Sequence, residues 1–170
     1  VNLFLSQSIG FGCYKKCKTK LYDSFHSYLN IPDTSNRDSL FQAEARRCKD
    51  IFEYIKKNNK KRHLCIFDEI YSGTNPQDAV LCADLYLKSM NQYKYCVDFV
   101  LTTHYLDLCS KFDNDESSIK NQQMTVIHQD KENIKYTYLL KDGISEVHGG
   151  YQVLKDLDYP EEIMNIDKQK

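Results

Sequence analysis

The chain has 170 residues, 23 of them Lys or Arg and 24 Asp or Glu, for a formal net charge of −1 at pH 7. That length fits one domain, or part of one, with enough residues for a real core. The charge balance excludes the strong field of a dedicated nucleic-acid binder, so if the protein acts on DNA, other segments make most of the contacts. No apolar run approaches the ~20 residues that cross a bilayer, and no basic region leads into an apolar core as a secretion signal would. Seven cysteines, at 13, 17, 48, 65, 82, 96 and 109, several inside apolar runs, predict reduced thiols in an intracellular protein that is not secreted. Cys13 and Cys17 have no second Cys or His pair at zinc-ligand spacing, which argues against a metal site there.

The chain opens on Val1 to Phe11, apolar at Val1, Leu3, Phe4, Leu5, Ile9 and Phe11, without an initiator Met or a helix cap. It reads as an element entered part-way, with Gly10 and Gly12 marking the turn out of a helix. Lys15 to Lys20 is a basic cluster, read as a solvated edge with phosphate contact as the alternative. Tyr22 to Leu29 alternates as a strand does, and Pro32 with Asp33-Thr34-Ser35-Asn36 breaks it. Ser39 then caps a long helix whose apolar positions, Leu40, Phe41, Ala43, Ala45, Cys48, Ile51, Phe52 and Ile55, follow a period of roughly 3.6 residues. A helix N-terminus with a hydroxyl, beside Asn36-Arg37, also suits an anion. Lys56 to Arg62, five of seven residues basic, is an exposed loop.

Next comes His63-Leu64-Cys65-Ile66-Phe67-Asp68-Glu69-Ile70-Tyr71-Ser72-Gly73-Thr74-Asn75-Pro76-Gln77-Asp78. An apolar run ends in two carboxylates, and Ser-Gly-Thr-Asn-Pro then forces the backbone out of extended structure. A strand ending in a solvated acidic turn is the simpler reading of these residues alone. Asp78 to Met90 has helical apolar spacing, and Cys96 to Thr103 is a second apolar run that ends in His104-Tyr105. Strand, turn, helix and strand make a βαβ unit with parallel strands. Asp68, Glu69 and His104 are thereby expected together at the C-terminal edge of adjacent strands, where open α/β sheets bind ligands. Two neighbouring carboxylates there suit nucleotide hydrolysis: one holds Mg²⁺ and the other orients and deprotonates water.

Lys111 to Gln123, nearly free of apolar residues, reads as a surface loop. Met124 to His128 and Ile134 to Leu140 form an antiparallel pair around 129–133. Lys141-Asp142-Gly143 turns, Gly149-Gly150 precedes a helix at Tyr151 to Leu157, and Pro160 starts a last short helix.

These pieces, in this order, resemble the ATPase domain of the MutS mismatch-repair family. Asn36-Arg37-Asp38-Ser39-Leu40-Phe41-Gln42-Ala43-Glu44 is similar to the family's signature segment, Gly-Arg-Ser-Thr-Phe-x-x-Glu, with Asn36 where glycine is usual. Asp68-Glu69-Ile70 resembles its Walker B, Gly73-Thr74 and Asp78 its D-loop, and Thr103-His104-Tyr105 its switch histidine. Gly149-Gly150-Tyr151, Val153, Leu157 and Pro160-Glu161-Glu162-Ile163 resemble its tail. The likeness covers nearly the whole chain.

The resemblance implies an α/β, P-loop NTPase-like sheet of the ABC type with flanking helices, a C-terminal β-hairpin and short helices, incomplete at the N-terminus. Residues 1–35 would be the Q-loop region, 36–57 the signature helix, 63–112 the Walker B, D-loop and switch His, and 124–170 the hairpin and helices. It implies ATP and Mg²⁺ as cofactors, with Asp68 on the metal, Glu69 as general base and His104 sensing the γ-phosphate. Ser39 and Asn36 would reach nucleotide on a second MutS-like ATPase domain, Gly73, Thr74 and Asp78 would cross to that partner, and DNA would be bound by domains outside this chain. Asp78 also serves as the N-terminal charge of the helix after it. The family's Q-loop glutamine aligns at Ser8, with Gln7 one place earlier; either could simply end a helix. None of the six glycines, at 10, 12, 73, 143, 149 and 150, fits Gly-x4-Gly-Lys-Ser/Thr, so this chain alone is expected not to bind ATP tightly. Two other readings stand beside this one. Another ABC-type ATPase would carry Ser-Gly-Gly, which is absent; a non-catalytic interaction module would keep the fold without the phosphate loop.

Overall fold

The computed structural model describes residues 1–29, 39–114, 117–128, 134–145, 147 and 149–164. Its elements are α1 (Asn2–Ile9), β1 (Ser24–Tyr28), α2 (Leu40–Lys57), β2 (His63–Asp68), α3 (Pro76–Asn91), β3 (Val97–Thr102), α4 (Leu106–Lys111), β4 (Gln122–His128), β5 (Ile134–Asp142), α5 (Gly150–Asp156) and α6 (Glu161–Met164). They form two compact units, Val1–Leu108 and Cys109–Lys170.

The first unit is built on a parallel sheet of order β1-β2-β3, in register Ser24, His63 and Val97 at the start and Phe67 with Leu101 near the end. The central strand β2 is an apolar run because both its neighbours and the covering helices bury it: Leu64, Cys65 and Phe67 are buried. Phe67 meets Tyr86 of α3 edge-on at 5.6 Å, and the rings of Phe99 and Tyr28 lie 6.3 and 6.4 Å from it. Helix α2 presents Glu44, Cys48, Ile51 and Ile55 at four-, three- and four-residue spacing as its buried stripe, the repeat that keeps side chains on one helix face. On the opposite pleat face of β1, Phe4 of α1 packs edge-on against Phe25 at 5.5 Å. Gly10, at φ 70, ends α1 and donates to Ser6 O at 3.0 Å.

His63 is fully buried. Its Nε2 lies 3.0 Å from Asn58 O and its Nδ1 lies 3.1 Å from His26 Nε2. A carbonyl only accepts, so His63 Nε2–H donates to Asn58 and His63 Nδ1 accepts from His26. His63 is therefore structural, held at the start of β2 by these two bonds.

In the second unit β4 and β5 pair antiparallel, with an irregularity between Met124 and Val126. Both strands run further than the apolar pattern indicates, because Gln122 pairs with Asp142. The turn is therefore left to Gly143, whose φ of 117 suits glycine and whose N–H donates to Asn121 O. Two other boundaries differ from expectation. Helix α3 starts at Pro76, two residues ahead of the apolar spacing, because Asn75 is its N-cap, and Asp78 is the acidic residue of its first turn as expected. The short α4 lies just ahead of the polar loop and gave no sign in the sequence, six residues being too few for a periodic signal.

Candidate functional site

The parallel pairing of β2 and β3 sets Asp68 beside Thr102, whose hydroxyl donates to Asp68 Oδ1. Glu69 N–H donates to Thr102 O at 3.0 Å, so the ladder runs one residue past β2. The backbone then turns sharply through two non-glycine residues in the left-handed region, Glu69 at φ 49 and Tyr71 at φ 61. Such residues cost ~1–3 kcal/mol each and persist only where the surroundings hold them. Ile70 between them is buried and anchors the turn. Two residues past β3, His104 brings Nδ1 to 3.4 Å from Glu69 Oε1, with both side chains more than half exposed, 62% and 53%. The parallel register thus brings Asp68, Glu69 and His104 together at the C-terminal edge. Next to His104, the Tyr105 phenol is pushed up by burial first, then by the negative charges of Glu44 and Glu69.

The strained turn is tied to α2. Glu44, only 2% exposed, accepts from Ser72 Oγ at 2.9 Å and from Gly73 N–H at 3.0 Å, while Tyr71 N–H donates to the Tyr28 hydroxyl at 3.3 Å. Each Glu44 oxygen therefore has a donor, the condition under which a buried carboxylate is tolerated. Gly73 has no room for a side chain: a Cβ there would lie 2.8 Å from Leu40 Cγ and 2.8 Å from Phe41 N. The turn thus packs on the first turn of α2, next to Ser39. Ser39 Oγ accepts from Gln42 N–H at 3.3 Å and the Gln42 side chain accepts from Ser39 N–H at 2.9 Å, a complete capping box. Thr74 is half-buried. Asn75 and Asp78 hold each other: Asp78 N–H donates to Asn75 Oδ1 at 3.0 Å and Asn75 Nδ2 donates back to Asp78 Oδ2.

Gln7 is not part of this assembly. Its side-chain amide donates to Tyr22 O and accepts from Tyr22 N–H at 2.8 Å, just ahead of β1 and so at the N-terminal edge of the sheet. Both functional atoms are occupied by main chain. Ser8 is exposed on α1, and Asn36 lies outside the described residues.

Two side chains that order the site stand out only in three dimensions. Glu44 is visible in sequence as the one carboxylate within the buried stripe of α2, a placement that asks for a hydrogen-bonded partner. Thr102 carries no comparable signal. Among the described residues no three His, Cys, Asp or Glu side chains cluster to hold a metal. Asp68 with its threonine hydroxyl fits Mg²⁺ all the same, since that ion keeps several waters and is held by one or two carboxylates plus substrate phosphates.

Fold and site together define an α/β domain with two acidic residues and a histidine at the C-terminal edge of a parallel sheet, where such domains bind ligands. The chain belongs to the MutS family: the sequence model described as MutS domain V matches residues 3–170. It is 32% identical over 115 residues, 68% of this chain and 13% of the relative, to the DNA mismatch repair protein MutS of Aquifex pyrophilus. With the DNA mismatch repair protein MutS of Persephonella marina it shares 26% identity over 163 residues, 95% of this chain and 18% of the relative. With the MutS protein homolog 4 of Homo sapiens it shares 29% over 122 residues, 67% and 12%. The chain therefore spans less than a fifth of the length of these relatives.

Proposed function

We propose that this chain is the catalytic-edge portion of an ATPase that hydrolyses Mg-ATP between paired MutS-like domains and couples it to recognition of mismatched or damaged DNA by domains outside this segment. The observation that carries the reading is the meeting of Asp68, Glu69 and His104 at one sheet edge in a member of the MutS family. Asp68 would hold Mg²⁺, directly or through water, and the ion when bound neutralises phosphate charge. Glu69 is exposed at the turn and takes the proton of the attacking water. His104, 3.4 Å from it, holds that carboxylate in place and can turn to a phosphate oxygen, so its ring reports whether nucleotide is present. Ser39 offers the N-terminus of α2 to an anion, and Gly73, Thr74 and Asp78 face the partner domain. Such a protein works inside the cell, on DNA.

The test is Glu69→Gln in the full-length protein. Loss of a general base costs ~100- to 10,000-fold, so kcat for Mg-ATP falls by at least about 100-fold with KM little changed. Unchanged turnover would sink the general-base assignment.

A further inference from the structure

The overall charge balance conceals a separation across the sheet. Asp68, Glu69 and Asp78 lie at or just beyond its C-terminal edge, while the loops that enter its strands carry cations. Those loops are laid side by side by main-chain bonds: Asp23 N–H and Ser24 N–H both donate to Arg62 O, at 2.9 and 3.2 Å, and His63 N–H donates to Cys96 O at 2.8 Å. The register Ser24–His63–Val97 confirms that one edge receives all three. With strands ~4.8 Å apart, that edge is about 10 Å across. Chain connectivity sets Lys56 and Lys57, in the last turn of α2, and Lys60, Lys61, Arg62 and Lys94 close to this edge, all exposed and none in a salt bridge among the described residues. The carboxylates nearby are already engaged: Asp98 by Lys20 and Tyr22, Asp23 by Arg62 N–H, and Glu53 by Lys49 at 4.0 Å. Unpaired cations packed on one edge repel each other and are relieved by a polyanion.

Two aromatic residues, Tyr93 and Tyr95, flank Lys94 in sequence. Tyr95 is 66% exposed, beside Lys94, with its ring 6.3 Å from Tyr93. A duplex hides its base faces, whereas a single strand offers them, and lysines interleaved with an exposed ring suit the latter. We propose that the N-terminal edge of this sheet is a binding face for single-stranded nucleic acid, with the cations on successive phosphates and Tyr95 stacked on a base. This site lies at the opposite edge from the proposed hydrolytic residues and does not depend on their chemistry.

The probe is a fluorescein-labelled 20-nucleotide dT strand, titrated with the 170-residue chain by anisotropy at several salt concentrations. Each phosphate neutralised contributes a slope of about −0.7 in log K against log salt. Four contacts give about −3, or roughly 50-fold weaker binding at 200 than at 50 mM. The variant Lys57→Gln/Lys60→Gln/Lys61→Gln/Arg62→Gln is expected to lose at least ten-fold and most of the slope. Lys111→Gln/Lys120→Gln/Lys135→Gln/Lys141→Gln, with the same change in net charge, should stay within about three-fold. Tyr95→Ala should weaken dT binding by about five-fold or more and leave a 20-base-pair duplex unaffected. A wild-type slope near zero overturns the proposal without recourse to any variant. So do equal losses in the two quadruple variants, tighter binding of the duplex than of dT, and competition by poly-glutamate as effective as by unlabelled dT.

Discussion

The two units of the molecule differ in how much of their apolar side chain they gather into a core. In Val1–Leu108, Phe67, Ile55, Ile70, Leu87 and Met90 are almost wholly buried. In Cys109–Lys170 the hairpin leaves Ile127, Leu139 and Leu140 exposed, and Tyr138 80% so. A two-stranded ribbon has no third layer with which to bury a face, and alone it is marginal. The first unit covers a parallel sheet with helices, and that rigidity can sustain the two left-handed residues at the carboxylate turn. Left-handed residues also occur in the second unit, Tyr138 at φ 58 and Asp158 at φ 53, so what distinguishes the carboxylate turn is its buried anchors, Ile70 and Glu44.

The largest expected effect tests that contrast directly. Phe67→Ala removes the ring at the centre of the aromatic core, and such truncations cost ~3–5 kcal/mol. Leu139→Ala, on the exposed ribbon, should cost within about 0.5 kcal/mol. Urea denaturation of both variants gives the comparison, and equal losses would break it.

A smaller effect sharpens it within the first unit. Glu44→Ala leaves the Ser72 hydroxyl and the Gly73 N–H without their acceptor, at ~1–3 kcal/mol for each buried group. Both lie near the surface, so a total of about 2–3 kcal/mol is expected. Hydrogen exchange should localise the damage: the Gly73 amide quickens at least ten-fold while the amides of β2 hold. If Gly73 is unaffected, the carboxylate does not hold the turn.

Much of this unit was legible in the sequence because its signals are local. The apolar runs of β2 and β3, the Ser39 cap and the glycine and proline of the turn each announce themselves, and a βαβ unit then has one handed solution. The meeting of Asp68, Glu69 and His104 follows from that topology. The grip of Glu44 on Ser72 and Gly73 was not legible, since it joins residues 28 and 29 positions apart and hydrogen-bond partners at that separation leave no periodicity. Gln7 illustrates the converse: its amide looks available in sequence and is consumed by the main chain of Tyr22. The cationic edge was legible in part: Lys56 to Arg62 shows as a basic run, whereas its place beside the segment that carries Lys94 is set by the pairing of β2 with β3.

The smallest effect concerns acid. Burial first, then the His63 ring, then the Arg47 guanidinium, lowers His26 from 6.5 to about 4. The ring donates to His63 Nδ1, and Asp50 and Tyr54 line the same open cleft. Between pH 6.5 and about 4 the unfolded chain binds a proton at this position and the folded chain does not, so folding stability rises with pH across that window. The contribution is complete above pH 6.5 and is lost as the pH falls towards 4. His26 is only half buried, so solvent screening reduces what the shift would otherwise imply, and about 1 kcal/mol is expected between pH 7 and pH 5. Denaturation midpoints at pH 7, 6 and 5 measure it, and His26→Gln, which keeps a donor towards His63 and has no proton to gain, should flatten the profile. An equally steep loss in that variant would assign the acid sensitivity to other groups and remove this histidine pair from the account of what stabilises the sheet unit.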